Sequence, residues 1–82
     1  MNKLIPGKLY SLTKDYGFGS LPLSTDAFII INAISILVFL KYDNITSAKD
    51  VPLFLFDTKI VFPYFKDQCT AIQHHLKEIN EY

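Results

Sequence analysis

Arginine is absent from this chain, and all eight basic residues are lysine. The planar guanidinium fork makes the bidentate contacts that read phosphates and guanine edges. Without it, and with a formal net charge of zero, the composition speaks against nucleic acid as the partner. Cysteine is nearly absent too. Cys69 stands alone, so no intrachain disulfide can form and a disulfide-stapled secreted scaffold is excluded. The opening residues lack the apolar core of a signal peptide, and a reducing cytoplasm is the expected compartment. A long apolar run is also missing. Ala27 to Leu40 is 14 residues, broken by Asn32 and Ser35 and bounded by Asp26 and Lys41. A spanning helix needs about 20, so no membrane segment is expected.

What is present is apolar sequence without alternation. Phe28–Tyr42 and Leu53–Phe65 are apolar at odd and even positions alike. A half-solvated strand alternates, because successive side chains point to opposite faces. These segments therefore ask for cover on both faces. An 82-residue chain makes one domain and hides only about 60–65% of its unfolded surface. The excess apolar surface calls for a second copy or another protein.

Lys8–Thr13 is the first expected strand, after the turn signal Pro6-Gly7. Residues 14–26, with two glycines, a proline and small polar residues, are expected to be a loop that carries Tyr16, Phe18, Leu21 and Leu23. Phe28–Ile31 and Ile36–Tyr42 are the next strands, since isoleucine and valine favour them. Asp43–Asp50 is expected to be a polar turn. Val51–Phe56 and Lys59–Tyr64 form a hairpin about Asp57-Thr58, with Pro52 and Pro63 at a sheet edge or bulge because neither donates an N–H. For residues 67–80, Phe65, Cys69, Ile72, Leu76 and Ile79 recur at 4-3-4-3 spacing. This predicts an amphipathic helix with Asp67 near its N-terminus. The sum is a mainly β domain: a small five-stranded SH3-like barrel over residues 8–65, plus a C-terminal amphipathic α-helix over 67–80.

The segment Leu4-Ile-Pro-Gly-Lys-Leu-Tyr-Ser-Leu12 resembles the start of small SH3-like barrel proteins commonly encoded by tailed bacteriophages. The bias towards Lys, Asn, Ile, Phe and Tyr is similar to that of an AT-rich phage genome. The resemblance covers the first strand and the order of later strands. It implies a viral accessory protein acting in the host cytoplasm and brings no catalytic residue with it.

No constellation of residues prescribes a reaction. Adjacent helix residues point about 100° apart, so His74 and His75 do not suit one metal ion, and Cys69 is wrongly spaced to join them. Cys69 on the apolar stripe reads as a core thiol. Tyr16-Gly-Phe-Gly-Ser20 matches neither a dinucleotide fingerprint nor a P-loop. Asp15, Asp26, Asp43, Asp50 and Asp57 fall at turns, where aspartate bonds locally. Lys41, Lys49, Lys59 and Lys66 would make a basic patch only if the neighbouring Asp43, Asp50, Asp57 and Asp67 did not cancel it. No enzyme, cofactor or metal is expected. The expected function is protein binding: a self-associating module that engages or inhibits a host factor. Its contact residues are Tyr16, Phe18, Leu21, Phe54, Phe62, Tyr64 and Leu76. The alternatives are a structural virion component and a nucleic-acid-binding small barrel.

Overall fold

In the computed structural model, which describes residues 4–21, 28–45, 48–65 and 71–79, the missing alternation is explained by a sheet with apolar side chains on both faces. Strands β1 (Leu9–Leu12), β2 (Tyr16–Leu21), β3 (Ile29–Ile31), β4 (Ile36–Ile45), β5 (Ala48–Phe56), β6 (Lys59–Pro63) and β7 (Leu76–Glu78) form one curled sheet. Its order is β3-β2-β6-β5-β4-β1-β7, and every neighbouring pair is antiparallel.

Curling brings the inner-facing positions of six strands into one core. Tyr10, Leu12, Tyr16, Phe18, Ile31, Leu37, Phe39, Phe54 and Val61 meet there with Leu4 and Ile72. The rings of Phe18 and Phe39 pack edge-on against Phe54, at centroid distances of 6.3 and 5.6 Å. Offset and T-shaped geometries of this kind suit the ring quadrupole. Enclosing each such side chain contributes roughly 1.5–3 kcal/mol.

The outer face carries a second, smaller cluster of Val51, Leu53 and Phe62, flanked by Leu21, Leu40, Ile45 and Ala48. Two register shifts between β4 and β5, at Phe39/Lys41 and Asp43/Ile45, have the form of bulges. Bulges sharpen the local twist of a strand pair.

Four expectations are corrected. Among the described residues the chain is not a five-stranded barrel with a helix over 67–80: seven strands form the sheet, and Ile72–His75 is a 3-10 turn followed directly by β7, while residues 67–70 and 80 lie outside the described residues. The cause is an edge that needs covering. β1 would otherwise end the sheet with a row of unpaired backbone groups. Instead β7 pairs with it, Thr13 N–H donates to the His75 carbonyl at 2.9 Å, and Ile79 N–H donates to Leu9 at 3.0 Å. Tertiary pairing overrides helical spacing in so short a segment.

The expected loop at 14–26 holds β2, an interior strand between β3 and β6; residues 22–26, Leu23 among them, lie outside the described residues. The expected polar turn at 43–50 is mostly strand, with β4 running to Ile45 and β5 starting at Ala48. The prolines lie on interior strands, not on a terminal one. Both nonetheless sit beyond the last β5–β6 pair, Phe54↔Val61, where these strands part. Gly19 pairs with Phe62 and Gly17 accepts from the Tyr64 N–H. The residue between Phe62 and Tyr64 therefore turns its nitrogen away from β2, so Pro63 lacks a donor where no strand asks for one.

The expected hairpin turn is present. Asp57 and Thr58 both have positive φ, 48° and 68°, as a two-residue type I′ connection requires.

Candidate functional site

The feature that singles out a surface on this molecule is a row of cross-strand neighbours on the outer face. Leu9 pairs with Val38, Val38 with Leu55, Leu55 with Ile60, and Ile60 with Leu21. The row therefore crosses five adjacent strands, β1-β4-β5-β6-β2. Leu9, Val38, Leu55 and Ile60 alternate with the inward core residues Tyr10, Leu37 and Phe39, Phe54, and Val61, and Leu21, paired with Ile60, packs against the outer cluster. Side-chain alternation along a strand then points the whole row outward. None of the five residues is fully buried, and Leu55 and Ile60 are exposed.

The row has apolar neighbours at its margins. Ile36, opposite Ser11, is exposed on the same face. At the β2–β3 end, Phe28, Tyr64 and Phe65 form an aromatic group with centroid distances of 4.8, 6.2 and 5.2 Å. All three rings are exposed. Gly17 makes room for this group, since a Cβ there would lie 2.7 Å from a ring carbon of Phe28. Exposed apolar patches on small domains are where contact sites are sought, which makes this face the candidate surface.

A second feature lies at one end of the sheet. Ile34, in the tight turn between β3 and β4, has φ of 64° and is 83% exposed. A β-branched residue in the left-handed region is strained. The turn is braced around it. Ile34 N–H donates to Leu12 at 2.8 Å, and Ala33 N–H donates to the Asp15 carboxylate at 2.6 Å.

The residues expected to contact a partner are spread over the fold. Tyr16, Phe18 and Phe54 point into the inner core, and Leu76 packs against the edge of that core. Phe62 is enclosed on the outer face above Gly19. Leu21 ends the outer row, and Tyr64 belongs to the exposed aromatic group. Sequence reasoning expected an interaction surface on the outer faces of Phe28–Tyr42 and Leu53–Phe65 but did not name Leu9, Ile30, Ile36, Val38, Leu55 and Ile60 among its contact residues. The signal was the non-alternating runs themselves: once Leu37, Phe39, Phe54 and Val61 point inward, their apolar neighbours must point out.

The polar residues do not converge. Among the described residues no group of three His, Cys, Asp or Glu could hold a metal ion. His75 lies beside the Tyr16 ring at a centroid distance of 5.6 Å, while His74 is exposed. Lys41 pairs with Asp43 at 3.5 Å. Cys69, Lys66, Asp26 and Asp67 lie outside the described residues. Among the described residues no helix is long and apolar enough to cross a membrane. No family model, no curated protein and no solved structure matches this chain.

Proposed function

We propose that this chain is a non-enzymatic protein-binding module whose contact surface is the outer face of the sheet. The observation that carries this reading is the uncharged row Leu9–Val38–Leu55–Ile60–Leu21. The matching partner presents an apolar helix or sheet face of its own. Burying such side chains stabilises a complex by about 25 cal/mol per Å² before the costs of association are subtracted. The solitary cysteine suits action in a reducing cytoplasm. The resemblance at Leu4–Leu12 makes a bacterial host protein, or a component of a virion, the first partner to try.

The experiment compares the parent chain with a variant carrying Leu55→Lys and Ile60→Lys. Both positions are already exposed, and lysine can lay its stem along the sheet while its charge stays in water. The fold is expected to survive, as judged by circular dichroism. A partner recovered by cross-linking to the parent is then purified and titrated. Binding to the parent with at least tenfold weaker binding to the variant supports the reading. Equal binding to both shows that the outer row is not the contact surface.

A further inference from the structure

We infer that two copies of this chain pair through β3, edge to edge and antiparallel, about a twofold axis at Ile30. This goes beyond the outer-face reading: the contact is the terminal strand β3, a part of the molecule separate from the outer row.

The two terminal strands of the sheet differ in how they meet solvent. β7 is Leu-Lys-Glu, with Lys77 and Glu78 both exposed and Glu78 in an ion pair with Lys8 at 3.0 Å. Charges on an edge discourage another strand from adding to it. β3 is Ile-Ile-Ile and carries no such guard. Ile30 is 58% exposed. Among the described residues no strand lies beyond β3.

Backbone directions follow from one hydrogen bond. Tyr64 N–H donates to the Gly17 carbonyl at 3.1 Å, so the polar groups of Gly17 face β6. Adjacent residues of a strand face opposite sides, so those of Tyr16 and Phe18 face β3. Their partners across β3 are Ile31 and Ile29, which accordingly face inward to β2. Ile30, opposite Gly17, turns its N–H and C=O to the open edge.

A second copy satisfies that edge at Ile30, beyond which no strand lies among the described residues. With Ile30 opposite Ile30 of the other molecule, each N–H donates to the other's carbonyl, the narrow hydrogen-bonded pair of an antiparallel ladder. Ile29 then faces the other copy's Ile31, and Phe28 its Asn32. None of these residues is charged, so self-pairing brings no like charges together. The contact is isologous and closes at two copies. The alternative, β3 on β7 of the next molecule, would set bare isoleucines against Lys77 and Glu78 and would continue into an open chain.

The test is sedimentation velocity of the full chain over a concentration series, with Ile30→Pro, Ile30→Lys and Ile30→Val. Proline at 30 removes the outward donor and no hydrogen bond to β2. The parent and Ile30→Val are expected to pass from monomer to dimer as concentration rises, with nothing larger. The proline and lysine variants are expected to remain monomers. Hydrogen exchange on the parent gives a readout that needs no variant: Ile30 N–H becomes protected only at dimer concentrations. A parent that stays monomeric, assembly beyond two, dimers of the folded proline and lysine variants, or an Ile30 amide indifferent to concentration would each overturn the proposal. The Leu55→Lys and Ile60→Lys variant retains the dimer, so loss of outer-face binding and loss of edge pairing are read separately.

Discussion

The ring of Phe62 occupies the space over Gly19: a Cβ at residue 19 would stand 2.7 Å from the ring's Cζ. The two residues are directly paired across β2 and β6. A strand glycine is a weakness because it loses more backbone freedom and packs nothing. Here the neighbouring aromatic ring fills the vacancy, and the glycine in turn lets the ring lie close to the sheet.

Gly17 and Gly19 differ in what would have to move. Phe62 is only 7% exposed and has no free direction, so Gly19→Ala is expected to destabilise by about 1–3 kcal/mol, the range for overpacking. Phe28, over Gly17, is 41% exposed and can swing outward. Gly17→Ala is expected to fall within about 0.5 kcal/mol of the parent. Urea denaturation of both variants checks the contrast, and equal losses would show that the two rings are equally constrained.

Ile34 offers a gain in stability. Its left-handed backbone costs roughly 1–2 kcal/mol, and its exposed side chain recovers little of that by burial. Ile34→Asn keeps the backbone bond to Leu12 and tolerates positive φ. We expect a gain of about 1 kcal/mol, or a rise in Tm of about 4–8 °C, measured by thermal melting. If the variant also binds the outer-face partner more weakly, the strain serves to present an apolar contact, a trade between stability and activity.

Ile72 fastens the C-terminal segment. It is fully enclosed in the inner core, one turn before β7 begins. Ile72→Ala is expected to cost about 2–4 kcal/mol. The amides of Thr13 and Ile79, which bond across β1 and β7, should lose exchange protection first. Protection that falls uniformly across all strands would mean that β7 is part of the global unit and not a flap held by one side chain.

Local chemistry alone was enough for part of this fold. Pro6-Gly7 before β1, the isoleucine-rich β3 and β4, and the β5–β6 hairpin about Asp57-Thr58 follow from backbone preference and turn geometry, which act between near neighbours. The two non-alternating runs likewise announced a sheet with apolar side chains on both faces. Other parts were settled by distant residues. Tyr16 and Phe18 alternate as a strand should, yet Gly17 and Gly19 suggest a loop until Phe28 and Phe62 arrive to fill the space above them. Ile72, Leu76 and Ile79 have the spacing of a helix stripe, yet the open edge of β1 draws Leu76–Glu78 into the sheet. The inner and outer faces of Val38, Leu55 and Ile60 could be assigned only when curling enclosed Leu37, Phe39, Phe54 and Val61. The sequence by itself determined a β-rich, double-faced apolar chain. Only the tertiary structure decided which apolar residues became core and which became surface, because a strand's two faces are equivalent until the sheet bends toward one of them.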